Sequence, residues 1–172
     1  MGGDTGIGEQ GDVFEDIDAD TGNQEPLSII DQKDWTQVAF KKDPFEPPDD
    51  ATCDAQSGIG AETLDGEDTL AVLTGFCAWA TLVQQSTLPL KKGDILNLRI
   101  WHFELTGEGP AHVKLRIGEW VFFEKEIQKP HKAQLIAESI VVPFDFDIGS
   151  QIYFHVDNHG ANEYSLVELS KN

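Results

Sequence analysis

From Asp34 onward the chain breaks into short runs in which apolar and polar residues alternate, separated by Gly, Pro, Asn and Asp. Side chains on a strand point alternately to opposite faces, so a period of two marks strands with one buried face, whereas an amphipathic helix repeats at about 3.6 residues. No stretch shows the helical period. The alternation predicts strands over 35–41, 69–74, 76–84, 94–105, 112–118, 121–127, 133–142, 151–157 and 163–169. Two segments echo each other, Leu90 to Leu96 (LKKGDIL) and Phe146 to Ile152 (FDIGSQI), each a glycine turn feeding a strand. Nine strands with no helices between them leave an antiparallel β-sandwich or a closed barrel.

Charge changes this picture in one place. The 172 residues hold 31 Asp and Glu against 12 Lys and Arg, a formal charge of -19. Such a field repels phosphate backbones and anionic lipid surfaces, so nucleic acid is excluded as a partner. Eight of the acids lie within residues 1–28, which contain no Lys or Arg, leaving 23 acids against 12 bases in the rest. That opening, MGGDTGIGEQGDVFEDIDADTGNQEPLS, has too little apolar surface to offset its chain entropy and is expected to be disordered. The organisation is therefore a leader over 1–28 and one sandwich domain over 29–172, of ordinary single-domain size. Asp16, Asp18 and Asp20 mimic the start of a calcium loop, but glycine falls at Gly22 and the twelfth position is Leu27 in place of glutamate, so this is no EF-hand. Cys53 and Cys77 are the only cysteines. They read as one disulfide, with two buried thiols as the alternative.

Two resemblances add to the residue-level reading. The Gly/Asp/Thr-rich opening resembles the tether that follows the lipid-modified cysteine of bacterial lipoproteins, with Met1 standing where that cysteine would be. It implies an extracytoplasmic protein, at the cell surface, in the periplasm or secreted, with membrane attachment through an N-terminal lipid that this sequence lacks. The run LPLKKGDILNLRIWHFELTG, the hairpin around IGEWVFF and the closing VPFDFDIGSQIYFHVDNHGANEYSLVELS resemble the second half of a galactose-binding-like jelly roll, as in many carbohydrate-binding modules. The resemblance covers residues 69–170 and implies an all-β antiparallel β-sandwich of the jelly-roll kind. It also implies a structural calcium between an early loop (Asp49, Asp50, Asp54) and Glu168 on the last strand.

Parity along the strands selects candidate binding residues. With Leu96, Leu98 and Ile100 inward, Asn97, Arg99, Trp101 and Phe103 face outward; with Val113, Leu115 and Ile117 inward, His112, Lys114 and Arg116 face outward. Ile152, Phe154 and Val156 likewise leave Tyr153, His155 and Asp157 on the other side. If these strands share a sheet, Asn97, Arg99, Trp101, Lys114, Arg116 and Tyr153 form one aromatic and basic face suited to glycan, and to acidic glycan in particular. Rings stack on sugars and guanidinium groups fork onto carboxylate or sulfate. The alternative is an ordinary solvated face with cross-strand pairs to Glu104 or Glu124.

A second cluster, His155, Asp157 and His159, has ligand types that suit zinc, copper or iron, provided the strand continues past the turn expected at 158–162. Trp79 is expected in the core, and Trp120, in a tight hairpin, at the surface. There is no G-x-S-x-G elbow, phosphate loop or H-E-x-x-H, and the pairs available among Glu104, Glu124, Glu126 and Glu138 carry no specificity for glycoside hydrolysis. The expectation is a non-catalytic module that needs no cofactor and binds glycan, or a surface lipoprotein that binds another protein.

Overall fold

The computed structural model describes residues 1–2 and 25–172; residues 3–24 of the acidic leader, with Asp16, Asp18 and Asp20, lie outside the described residues. Eleven strands are described: β1 (Leu27–Ser28), β2 (Thr36–Gln37), β3 (Ile59–Leu64), β4 (Glu67–Leu73), β5 (Trp79–Gln85), β6 (Ile95–His102), β7 (Ala111–Ile117), β8 (Trp120–Ile127), β9 (Gln134–Val141), β10 (Gln151–Asp157) and β11 (Glu163–Lys171). A single 3-10 turn, Phe40–Lys42, and the four-residue helix α1, Ala55–Gly58, lie between them. The strands form two antiparallel sheets: β3-β4-β11-β6-β9, with β1 also on β11, and β2-β5-β10-β7-β8. The domain is an all-β sandwich.

The expected strands are present, several shortened, and β10 has its expected bounds. The run 35–41 keeps only the two-residue β2 before turning into the 3-10 segment. Strand β3, IGAETL, was not anticipated because it is an edge strand, largely exposed on both faces, and so carries no alternation. Leu27 and Ser28, placed in the leader, pair with Lys171 and Ser170 at the edge of the first sheet, and Ile29 and Ile30 behind them are buried.

The inner faces meet in one core. Leu96, Leu98 and Ile100 of β6 and Leu166 and Leu169 of β11 come from the first sheet; Val113, Leu115 and Ile117 of β7 and Ile152, Phe154 and Val156 of β10 come from the second. Full burial of such side chains is worth roughly 1.5–3 kcal/mol each. The two echoing segments meet as well. Leu90 and Phe146 exchange both backbone hydrogen bonds at 2.9 Å, a bridge beside the glycine turns at Gly93 and Gly149, whose φ of 97° and 86° suit glycine.

Two bulges alter which way the following side chains point. In β11 the register shifts between Leu166 and Glu168, so Glu168, whose parity with Tyr164 and Leu166 would send it into the core, emerges on the outer face opposite Arg99. In β8 the register shifts where Leu115 pairs with Phe123 but Arg116 pairs with Val121. Val121 therefore turns outward, and Trp120, expected at the surface, packs half-buried against the core with its ring stacked on Phe146 at 5.9 Å.

Cys53 and Cys77 form a disulfide, joining the segment before α1 to the β4–β5 connection. In the chain-entropy picture, closing a loop with a sequence separation of 24 stabilises by roughly 3 kcal/mol. The double variant Cys53→Ser/Cys77→Ser should therefore melt several degrees below the parent in calorimetry. An unchanged melting temperature would show that the bridge does not constrain the unfolded chain.

Candidate functional site

The six residues expected to share one face do not. Strand β6 belongs to the first sheet and β7 and β10 to the second, so Asn97, Arg99 and Trp101 look out from one side of the sandwich and Lys114, Arg116 and Tyr153 from the opposite side. Parity gave the right outward assignment for each strand, but strand partnership separates the two groups by the full thickness of the core.

On the outer face of the second sheet, register lines side chains up in rows. Trp79 of β5 stands opposite Asp157 of β10, which stands opposite His112 of β7, which stands opposite Glu126 of β8. In the next row Thr81, His155, Lys114 and Glu124 follow in the same order. All of these residues except Thr81 line a cleft of about 380 Å³. His112 Nδ1 lies 3.2 Å from Asp157 and its Nε2 lies 3.3 Å from Glu126, while Lys114 Nζ meets Glu124 at 2.8 Å. The Lys114 ammonium donates to Glu124 and holds that carboxyl below its usual range.

Trp79 was expected in the core and instead forms a wall of this cleft. It opens β5 at a position whose parity is outward, and its indole N–H donates to Asp43 at 2.9 Å. Asp43 follows the 3-10 turn and also caps the backbone N–H of Phe45, so the short segment folds over the sheet. Phe45 then covers His155, whose ring lies 4.9 Å from Phe45 and 4.4 Å from Trp79. Although His155 points outward from β10, it is only 1% exposed. Its Nδ1 shares a 2.8 Å hydrogen bond with the Thr81 hydroxyl.

The His155, Asp157, His159 cluster does not assemble. His155 is enclosed between aromatic rings, Asp157 is turned to His112, and β10 stops at Asp157, leaving His159 in the expected turn, where its carbonyl accepts from Lys129. Nor does Glu168 face an acidic loop. The bulge in β11 delivers it to Arg99 at 3.3 Å and to the Ser170 hydroxyl at 2.6 Å, while Asp54 accepts from Ser57. Among the described residues no three His, Cys, Asp or Glu side chains gather as a metal site.

At the rim, Arg116 pairs with Glu119 at 2.7 Å and lies over the Tyr153 ring at 5.6 Å. On the other sheet, Arg99 is forked onto Glu67, at 3.1 and 3.2 Å, in addition to Glu168. Trp101 is half-buried beside Phe103, the rings edge to face at 5.9 Å.

The chain superimposes on solved structures at low sequence identity. One is a carbohydrate-binding module, CBM28, specific for non-crystalline cellulose: TM-score 0.51, 9% identity, 84% of this chain on 92% of that one. The fold is a jelly roll, as in that module. The same jelly roll superimposes on part of an arabinose-bound α-L-arabinofuranosidase, TM-score 0.51 and 7% identity, with 87% of this chain spanning only 24% of the enzyme. A looser match, TM-score 0.43 and 12% identity, covers 86% of this chain and 92% of the CBM22-1 xylan-binding domain of Paenibacillus barcinonensis Xyn10C. No protein-family model matches the sequence, and no curated protein matches it.

Burial of His155 has a consequence for stability. Desolvation is the main force holding its pKa down at about 4, opposed by nearby Asp43 and reinforced by Lys114 and His112. An unfolded histidine titrates near ~6.5, so on acidification the unfolded chain takes up this proton first. The stability linked to His155 is thus complete above pH ~6.5 and is lost as pH falls towards the folded value, by roughly 3 kcal/mol in all. Urea unfolding from pH 7 to pH 4 should show that loss in the parent and a shallower one in His155→Asn. Parallel profiles for the two proteins would refute it.

Proposed function

We propose that this protein is a non-catalytic carbohydrate-binding module that works outside the cytoplasm and takes a neutral glycan chain into the Trp79 cleft. The observation that carries this reading is the fixed indole of Trp79 in a cleft otherwise walled by hydrogen-bonding side chains. An aromatic face stacks on the C–H face of a sugar ring, while carboxylates and imidazole exchange hydrogen bonds with its hydroxyls. The indole N–H is already spent on Asp43, so the ring is pre-oriented and little entropy is lost on binding. At about 380 Å³ the cleft falls within the ~300–1,000 Å³ typical of small-ligand sites.

Neutral glycan replaces the acidic glycan expected when Arg99 and Arg116 were placed together. Asp157, Glu124 and Glu126 outnumber Lys114 and His112 in the cleft, and both basic groups are held by those carboxylates. A uronate or sulfate would enter a negative field and would have to break existing pairs. Likeness to a module specific for non-crystalline cellulose makes β-glucan chains the first ligands to test. Action outside the cytoplasm is supported by the disulfide, which persists in oxidising compartments.

Calorimetric titration with cello-, xylo- and manno-oligosaccharides, and with oligogalacturonate, tests the reading. At least one neutral series should bind with little dependence on salt. Trp79→Ala should weaken it about tenfold or more, roughly 1.4 kcal/mol, with the fold intact by circular dichroism, and Trp101→Ala should leave it unchanged. Tighter, salt-sensitive binding of oligogalacturonate would overturn the neutral ligand, and binding that survives Trp79→Ala would overturn the cleft.

A further inference from the structure

The outer face of the first sheet has a different character. Depressions lie end to end along β6: one of about 290 Å³ between Phe76 and Phe103, a second of about 290 Å³ between Trp101, Leu135 and Val167, and a third of about 470 Å³ beside Asn97 and Ser139. The first two share Phe103 and the last two share Arg99, so they form one groove. From Asn97 to Phe103 it runs about 20 Å, the length of some six residues of extended chain. Its apolar end is open to solvent: Phe76 is 52% exposed, Phe103 41% and Leu135 42%. Contiguous exposed apolar surface of this kind marks interaction sites on soluble domains.

The rim of that end is acidic. Glu62, Asp65, Glu104 and Glu163 make no ion pair with any described residue. Of the cations beside the groove, Arg99 is engaged by Glu67 and Glu168, while Lys132, next to the Leu105–His131 bridge, is the one left to offset these four carboxylates among the described residues. Burial and the neighbouring Glu62 hold the Glu163 carboxyl above its usual range, as expected where like charges crowd.

We propose that this groove docks an extended polypeptide segment of a partner protein, one that presents apolar side chains flanked by Lys or Arg. Charge complementarity selects this occupant. A second copy of the chain would bring one acidic rim against another. Leu64, Leu135 and Val167 line the middle depression beside Trp101 and Phe103, and their branched aliphatic side chains fill volume against the apolar side chains of a polypeptide. The Trp79 cleft lies on the opposite sheet, so both ligands are held at once.

A random-peptide display library panned on the full chain tests this, with one enriched peptide then synthesised and titrated by calorimetry. The enriched sequences should combine aliphatic or aromatic residues with Lys and Arg, and the free peptide should bind the parent and Trp79→Ala alike. Affinity should fall about tenfold or more in Phe103→Ser/Leu135→Ser. Glu104→Gln/Glu163→Gln should weaken binding and reduce its salt sensitivity, and this second variant serves if the first does not fold. The proposal is overturned by enrichment of acidic or purely polar peptides, by no enrichment, or by affinity indifferent to both double variants. It is also overturned if sedimentation shows a dimer abolished by Phe103→Ser/Leu135→Ser, or if an oligosaccharide quenches Trp101 fluorescence.

Discussion

Everything in this domain depends on the burial of two alternating apolar faces against each other. The central strands contribute alternate side chains to the space between the sheets, and those side chains are fully enclosed on both sides of it, from Leu98 and Leu166 to Leu115 and Phe154. Because the period is two, the same packing that buries one set obliges the other set to face away from the core. The chemistry available to this protein is therefore written on the two outer faces, and the core sets which residues appear there.

Two departures from strict alternation decide how those faces are furnished. The bulge at Val167 brings Glu168 out to Arg99, where with Glu67 it neutralises the guanidinium on the first sheet. The bulge in β8 turns Val121 out and lets Trp120 close one end of the core over Phe146. A bulge costs one unpaired residue in the ladder and re-aims every side chain beyond it, a small local change with large consequences for surface charge.

The outer faces have diverged in character. One holds a polar cleft in which Trp79 is fixed by Asp43 and surrounded by paired charges. The other holds a longer, more apolar groove with carboxylates at its edge. A segment of irregular chain makes the difference on the first of these. The 3-10 turn and Phe45 cover His155 and leave Trp79 at the margin of the cover, so that an outward-facing histidine becomes buried while the neighbouring tryptophan becomes a wall.

Local alternation was enough to read most of the strands, the inward and outward residues of β6, β7 and β10, and the all-β class of the described residues, because each follows from the period of two within a single strand. The glycine turns before β6 and β10 were legible for the same reason: their backbone demands are local. Edge strand β3 was not, since a strand exposed on both faces has no alternation to display. Which sheet each strand joins is a matter of long-range pairing, and that alone placed Arg99 and Arg116 on opposite sides of the molecule. The position of Trp79 depended on Asp43, 36 residues away, and the burial of His155 on Phe45. Those contacts exist only once the sandwich has closed, because a side chain's environment is set by whatever the folded chain lays over it, and a single strand's pattern holds no record of that.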